Sequence, residues 1–284
     1  MLIVTVLAPY YENTALRRRL IHAYSMLKLA KHMEILGIDI GGSGIKGAVV
    51  ETTTGELVTE RVRIKTPQPS TPEAVADTIK ELVETIGYQG PMACGFPARV
   101  INGTVLTAAN IDKSWVNVHV ESLLKEKLGN EIFVANDADV AGIAEMTFGA
   151  GCGEKGKVLI VTIGTGIGTA MFFNGELLPN FEMGHIILNG DDAERYCSDA
   201  AREKLDLKWK EWGKRFNEYL NRIDFLVQPD LFILGGGASK KFEKFKEQLH
   251  LDNARVIPAK TLNLAGIIGA AVYCERRLNN EATH

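Results

Sequence analysis

Residues 38–50, IDIGGSGIKGAVV, and residues 161–173, VTIGTGIGTAMFF, follow one pattern along the chain. Each stretch has an apolar strand, then a turn rich in glycine, then a second apolar strand. The two stretches match in pattern more than in residue identity. Two such hairpins in successive halves of the chain predict a duplicated α/β fold in which both hairpins face one cleft.

The rest of the first half alternates between strand and helix signals. Residues 35–40, 45–50 and 56–64 predict a three-stranded meander. A helix over residues 72–86 follows, because Thr71 suits the N-cap and Pro72 suits the first helical position.

A strand-to-helix junction is predicted near the middle of the chain. Short apolar strands are indicated at residues 92–96 and 132–135, and a helix rich in alanine at residues 139–148. Asn136 and Asp137 therefore lie between a strand and a helix, a position that also suits a helix N-cap.

The second half contains longer helical signals. Residues 191–223 are polar and helical in pattern, and residues 231–234 indicate a buried strand. A tight turn at residues 235–237 should lead into a basic helix over residues 239–249. A helix with small residues over residues 264–277 closes the pattern.

The composition is that of an ordinary soluble globular protein. Of the 284 residues, 46% are hydrophobic and 24% charged, and the formal net charge is -3. A pI near 6.1 argues against a nucleic-acid partner, although a polyanionic substrate would need only a local basic patch. No apolar run approaches the roughly 20 residues of a membrane span, so no membrane partner is expected.

The cysteines point to a reducing compartment. Cys94, Cys152, Cys197 and Cys274 lie far apart and form no CxxC pair. Neither a disulfide framework nor a zinc knuckle is therefore indicated, and a cytoplasmic protein is expected.

Residues 1–33 differ in charge from the rest of the chain. Five basic residues and one acidic residue give this extension a net charge of +4 (5 minus 1), which leaves -7 for the remainder of a chain whose total is -3. A basic amphipathic helix, a transit-like peptide and a peripheral extension ahead of a core that begins after Met33 all stay open.

Glycine turns of this kind suit phosphate binding, because the main chain can approach phosphate oxygens closely where side chains are absent. The candidates are Gly41, Gly42, Ser43, Gly44, Gly164, Thr165, Gly166, Gly168, Gly235, Gly236 and Gly237. Each turn alone could equally be a plain hairpin turn. No Walker motif is present.

The motifs DIGGSGIK, NDA, EMGH and GGG occur in the order of the ROK sugar kinases, which belong to the actin, hexokinase and Hsp70 superfamily. TPQPSTPEAVADTI, TAANIDKSW and PNFEMGH more closely resemble the polyphosphate glucokinase branch, and the resemblance covers residues 34–277. It implies an actin-like ATPase (ribonuclease H-like) duplicated fold of two lobes with the active site in the cleft between them. The expected boundaries are residues 34–135 for the N-terminal lobe, joined by a C-terminal helix at residues 264–278, and residues 136–263 for the C-terminal lobe.

The resemblance assigns Asp137 as the general base that accepts the proton of the sugar 6-hydroxyl. From its position alone, Asp137 could instead be a helix cap. The implied sugar-binding residues are Asn110, Asp112, Asn136, Glu182, His185 and Glu194. Outside the motif, His185 would be a structural histidine and Glu194 an exposed charge.

The donor and the metal follow from the same resemblance. Mg²⁺ is expected, with Asp39 as its protein ligand, directly or through water. Lys46 in the first hairpin, and Lys240 and Lys244 after the GGG turn, are candidate donor contacts, the latter two with a solvated helix face as the alternative. Many ROK kinases carry a CxCGxxGC zinc cluster, which is absent here, so no zinc site is expected.

The resulting hypothesis is an enzyme, a polyphosphate–glucose phosphotransferase that acts as a cytoplasmic homodimer. An ATP-dependent ROK hexokinase acting on glucose or another hexose is the alternative donor assignment. A sugar-responsive repressor is the alternative without enzymatic activity, but about 33 residues ahead of the core are too few for a winged helix-turn-helix.

Overall fold

Two five-stranded sheets with the same arrangement build the fold in the computed structural model, which describes residues 33–109 and 111–281. The strands of the first half are β1 (Glu34–Gly41), β2 (Gly44–Glu51), β3 (Val62–Ile64), β4 (Met92–Phe96), β5 (Val100–Ile101), β6 (Thr104–Val105) and β7 (Ile132–Asn136). The first sheet has the order β3-β2-β1-β4-β7, in which β1 pairs antiparallel with β2 and parallel with β4.

The second sheet repeats this order. The strands of the second half are β8 (Lys157–Ile163), β9 (Ile167–Phe173), β10 (Glu176–Leu178), β11 (Ile187–Leu188), β12 (Asp191–Asp192), β13 (Leu231–Gly235) and β14 (Arg255–Pro258). Its order is β10-β9-β8-β13-β14, again an antiparallel meander that continues into two parallel strands. The predicted duplication is therefore confirmed, since both glycine hairpins occupy equivalent places.

The helices are α1 (Pro72–Ile86), α2 (Val120–Leu128), α3 (Asp137–Phe148), α4 (Ala193–Cys197), α5 (Asp199–Lys204), α6 (Trp209–Val227), α7 (Gly236–Ser239) and α8 (Ala265–Glu281). The predicted start of α1 is confirmed, because the Thr71 side chain accepts a hydrogen bond from the Ala74 backbone N–H and Pro72 is the first helical residue. The predicted helix at residues 139–148 begins two residues earlier, at Asp137.

Helix α8 packs against α3 and β1 at the centre of the fold. A Cβ atom on Gly269 would lie 1.6 Å from the backbone oxygen of Val140 in α3. Only glycine allows this approach. The small residues of the predicted closing helix therefore place α8 directly beside the strand-to-helix junction that carries Asp137.

The basic helix predicted at residues 239–249 was wrong. Helix α7 ends at Ser239, and two 3-10 turns follow, Phe242–Lys244 and Lys246–Gln248. Phe242 and Phe245 contact each other with ring centroids 5.7 Å apart, and buried Phe245 also packs against Trp212. Residues three apart lie above one another in a 3-10 turn, which brings these two rings together.

The strand predicted at residues 56–64 was largely wrong, since only Val62–Ile64 pairs as a strand. Leu57 forms an isolated bridge with Val50. The Thr59 hydroxyl accepts the hydrogen bond of the Val49 backbone N–H at 3.0 Å, where a continuous strand would offer a backbone carbonyl.

Residues 1–32, nearly all of the predicted extension, lie outside the described residues. The first sheet uses residues 34–136 and the second residues 157–258, and the predicted lobe boundary at residue 135 stays a prediction. Within residues 33–109 and 111–281, no helix combines the length and the apolar character that crossing a membrane requires.

Candidate active site

Two cavities meet at Asp137. The larger has a volume of about 1070 Å³ and is lined by Asn136, Asp137, Glu182, His185 and Glu194 among others, and we call it the acidic cavity. The smaller has a volume of about 450 Å³ and is lined by Asp39, Lys46, Arg61, Arg63 and Asp137 among others, and we call it the basic cavity. Asp137, Thr162 and Gly236 line both.

Asn136 ends β7 and is the N-cap of α3. Its Oδ1 accepts hydrogen bonds from the backbone N–H groups of Ala138 at 2.9 Å and Asp139 at 3.2 Å, and its Nδ2 donates to the Ala98 carbonyl at 3.2 Å. The cap role that the sequence left open for Asp137 therefore belongs to its neighbour. Asp137 occupies the first helical position, where its carboxyl lines both cavities.

Burial and a nearby negative charge change the acidity of Asp137. Burial of the carboxyl and then the charge of Asp39 raise the pKa of Asp137 to about 7, although the Ala138 backbone N–H hydrogen bond opposes the shift. A carboxyl with a pKa near neutral pH can both accept and release a proton under physiological conditions. The arrangement therefore suits a general base.

Two carboxylates lie beside His185, which lines the acidic cavity. His185 follows Glu182 in a 3-10 turn, and its Nδ1 lies 3.1 Å from Asp192 Oδ1 while its Nε2 lies 3.9 Å from Glu182 Oε2. Glu194, in the first turn of α4, accepts a hydrogen bond from the Ile167 backbone N–H at 3.3 Å. The predicted EMGH contacts and Glu194 thus line one cavity that presents several hydrogen-bonding groups.

A row of charges crosses three strands in the basic cavity. Asp39 on β1 lies opposite Lys46 on β2, which in turn lies opposite Arg63 on β3. Directly opposed residues present their side chains on the same face of a sheet. Lys46 Nζ lies 2.9 Å from Asp39 Oδ2, and Arg63 donates to the Ser43 carbonyl at 2.9 Å. One carboxylate and two cations are therefore held side by side.

The glycine turns divide between the two cavities. Those that line the acidic cavity are Gly41, Gly42, Ser43, Gly164, Thr165, Gly166 and Gly168, while Gly235 lines the basic cavity and Gly236 lines both. Gly44 is buried against the Arg63 side chain instead. Gly236 has a φ of 77° and lies so close to β8 that a Cβ atom would come within 2.4 Å of the Ile163 oxygen. Its backbone therefore requires glycine where the cavities meet.

Asp112, Gly237 and Lys244 line neither of the two cavities. Asp112 lines a third cavity of about 370 Å³, which shares Gly41, Gly42, Pro97 and Ala109 with the acidic cavity. Its carboxylate accepts hydrogen bonds from the backbone N–H and hydroxyl of Ser114. Gly237 and Lys244 are exposed and line none of the three cavities. Asn110 lies outside the described residues.

Lys240 is at the edge of the basic cavity. Its Nζ donates to the Asn263 side chain at 3.1 Å, and Asn263 lines that cavity.

Five charged residues of the site were missed in the sequence. Arg61, Arg63 and Glu145 line the basic cavity, Arg99 lines the acidic cavity, and Asp192 contacts His185. The spacing of two between Arg61 and Arg63 would have placed both on one face of a strand. Asp192 begins the DAE stretch that ends in the predicted contact Glu194, which was a signal for it, whereas Arg99 carries no comparable pattern.

Comparisons with known proteins found similar sequences and similar structures. The model of the ROK family matches residues 35–202. A polyphosphate glucokinase of Mycobacterium tuberculosis is 44% identical over 237 residues, which cover 83% of this chain and 89% of that protein.

Two solved structures resemble the chain over most of its length. An inorganic polyphosphate/ATP-glucomannokinase from Arthrobacter sp. strain KM has a TM-score of 0.82 and 43% identity, with 86% of this chain and 99% of that chain covered. A ROK family glucokinase from Streptomyces griseus, in complex with glucose and AMPPNP, has a TM-score of 0.72 at 24% identity, with 86% and 100% covered. The second match shows a shared fold.

Proposed function

Because the chain belongs to the ROK family, we propose that it transfers a phosphoryl group from inorganic polyphosphate to the 6-hydroxyl of glucose. The predicted actin-like ATPase fold is confirmed by the duplicated sheets and by the similarity to ROK structures. The name of the mycobacterial relative and that of the Arthrobacter enzyme both include polyphosphate as the phosphoryl donor.

The observation that carries the proposal is the position of Asp137 in the wall shared by the two cavities. The acidic cavity offers the sugar several hydrogen-bond acceptors and a histidine, as a polyhydroxylated ligand requires. The basic cavity offers cations to a polyanion. A hydroxyl and a phosphoryl group that meet at Asp137 would have a carboxylate beside them.

Asp137 acts as the base in this proposal. Its ionised carboxylate orients the sugar hydroxyl and takes the hydroxyl proton as the oxygen bonds to the terminal phosphorus of the donor. The bond from that phosphorus to the bridging oxygen breaks, and the shortened chain leaves with the bond electrons. Most of the rate enhancement in phosphoryl transfer comes from alignment and from cations around the transferred group.

The donor is expected to extend along the basic cavity. Lys46, Arg61 and Arg63 would contact successive phosphates, and Lys240 at the edge would extend this surface for a longer chain. Lys244 stays a candidate for the outer part of a long donor. ATP is a second candidate donor, because the name of the Arthrobacter enzyme includes it.

Mg²⁺ fits the residues around Asp39. Among residues 33–109 and 111–281, no group of three or more His, Cys, Asp or Glu side chains could hold a metal ion. Mg²⁺ commonly binds through one or two carboxylates together with phosphate oxygens and water, so Asp39 and the donor would suffice. When bound, the ion would neutralise charge on the donor oxygens.

The remaining expectations, a cytoplasmic homodimer without zinc and contacts of Asn110 and Asp112 with the sugar, stay predictions.

A donor comparison tests the proposal. Formation of glucose 6-phosphate is measured with long-chain polyphosphate and with ATP at one glucose concentration, and mannose replaces glucose in a parallel series. We expect a higher kcat/KM with polyphosphate. Activity with ATP alone would contradict polyphosphate as the donor and would support an ATP-dependent ROK hexokinase. A lack of activity with every hexose tested would contradict the proposed function.

A further inference from the structure

Arg99 has a buried group with no role in the chemistry described so far. Its side chain lines the acidic cavity together with Asn136, Asp137, Glu182 and His185. Its Nε is buried and has no hydrogen-bond partner among the described residues. An unpaired buried donor on a charged side chain is costly, so an acceptor from outside the chain would be strongly favoured here.

The backbone of Arg99 is fixed on both sides. Its N–H donates to the Thr107 hydroxyl at 3.1 Å, and its carbonyl accepts from the Leu106 N–H at 2.9 Å. The backbone of Arg99 is therefore held in one place beside the cavity that the residue lines, which lowers the ordering cost of a ligand contact.

Asn180 holds the Arg99 segment against the segment that carries Glu182. Its Oδ1 accepts from the Val100 N–H at 3.2 Å, and its Nδ2 donates to the Val100 carbonyl at 3.1 Å. Its own backbone N–H donates to Asp139 Oδ2 at 2.8 Å, a carboxylate in α3. Arg99 and Glu182 therefore keep a fixed relation to each other and to the helix of Asp137.

The charge of Arg99 acts on Glu182. Burial raises the pKa of Glu182, whereas His185 and then Arg99 lower it, and Glu194 raises it again. Among the described residues that line the acidic cavity, Arg99 is the one Arg or Lys. It therefore opposes the rise in the pKa of Glu182 that burial causes, in a cavity that contains several carboxyl groups.

We infer that Arg99 is a sugar-binding residue that determines specificity: its guanidinium donates a hydrogen bond to one hexose hydroxyl oxygen and keeps Glu182 available as an acceptor for the sugar. The hydroxyl is one other than the 6-hydroxyl, which Asp137 contacts. This inference rests on the proposed hexose phosphorylation and deepens it by adding a residue that recognises one particular hydroxyl of the sugar.

Kinetics on deoxy sugars test the inference. Arg99→Ala and Arg99→Lys are compared with Arg222→Ala, which removes an exposed arginine of α6 that lines neither cavity. Glucose and its 1-, 2-, 3- and 4-deoxy analogues all keep the 6-hydroxyl. For Arg99→Ala we expect the KM for glucose to rise about 10- to 100-fold, the range for a hydrogen bond to a charged group, with a smaller change in kcat.

The pattern across the analogues is decisive. For one deoxy analogue, Arg99→Ala should raise the KM little above that of the unmutated protein, because this analogue already lacks the hydroxyl that Arg99 contacts. Arg99→Lys should recover part of the glucose affinity. Equal losses with glucose and every analogue, or an unchanged KM for glucose, would overturn the inference. If Arg99→Ala unfolds at a lower temperature than the unmutated protein, the same KM comparison across the deoxy analogues in Arg99→Lys tests the inference instead.

Different results would contradict the proposed function and the inference about Arg99. A failure of the unmutated protein to phosphorylate any hexose would count against the function, whereas a normal Arg99→Ala enzyme would count only against the role of Arg99.

Discussion

Asp39 and Asp137 both line the basic cavity, and the negative charge of Asp39 is the second cause, after burial, that raises the pKa of Asp137 to about 7. Asp39 itself pairs with Lys46 at 2.9 Å. The proposed metal ligand and the proposed base are therefore linked electrostatically, so a change at one should alter the acidity of the other.

A pH profile tests this link. Asp137 must be ionised to accept a proton, so kcat/KM for glucose should fall about tenfold for each pH unit below roughly 7. Asp39→Asn removes a negative charge, which should lower the pKa of Asp137. The acidic limb of the kcat/KM profile should then move to lower pH, measured on the residual activity of the variant. Carbon-13 NMR of the aspartate carboxyl groups measures the same shift without turnover. An unmoved titration in Asp39→Asn, equal to that of the exposed control Asp252→Asn, would contradict the link.

Asp137→Asn keeps the size of the side chain but removes the proton acceptor. We expect kcat to fall by roughly 100-fold or more while glucose still binds in calorimetry. Turnover near that of the unmutated protein would leave Asp137 without a role as base.

The same substitution has a predicted effect on stability. The folded state holds the Asp137 proton up to about pH 7, whereas the pKa in the unfolded chain is 3.8. The contribution of this group to the free energy of unfolding therefore falls as pH rises between those two values. Asparagine does not titrate. The free energy of unfolding of Asp137→Asn relative to the unmutated protein should therefore increase from pH 4 to pH 8, and a constant difference would contradict the raised pKa.

The arginines of the basic cavity should discriminate between donors. Arg61→Ala combined with Arg63→Ala should raise the KM for long-chain polyphosphate more than the KM for ATP, because a chain phosphate depends on distributed cations. Added salt should reduce the difference between the two KM increases, because it screens these charges. Lys210→Ala with Lys214→Ala removes the same charge from the exposed face of α6 and should have little effect. Equal losses with both donors would contradict this assignment of the cavity.

Metal removal should abolish turnover. After treatment with EDTA, the protein should be inactive with polyphosphate, and Mg²⁺ should restore the rate. Elemental analysis should find no stoichiometric zinc. A tightly held zinc or full activity without a divalent ion would contradict the expectation drawn from Asp39 and the absent cysteines.

The sequence predicted most of the fold because its signals are local. The Thr71 cap, the Gly turns and the apolar strands all act over a few residues, and both hairpins were placed correctly. The prediction of a basic helix at residues 239–249 was wrong because Phe245 packs against Trp209 and Trp212 of α6, a tertiary contact that outweighed the local helix propensity.

The site was predicted less completely, for a related reason. Asp137 and the EMGH residues belong to contiguous motifs, whereas Arg99 faces the site through the Asn180 contact between segments 80 residues apart. The strand pairing of Lys46 with Arg63 likewise depends on register. Motifs therefore identified the chemistry and Lys46, and only the fold identified the three arginines around the site.

In the proposed reaction, a sugar hydroxyl attacks a polyphosphate terminus beside Asp137. The most direct measurement is the initial rate of glucose 6-phosphate formation from glucose and long-chain polyphosphate in nucleotide-free protein, with Asp137→Asn as the matched variant. We expect the unmutated protein to form glucose 6-phosphate as the polyphosphate chain shortens. The variant should bind glucose but form product roughly 100-fold more slowly or worse. No product with polyphosphate, or equal rates from the two proteins, would contradict it.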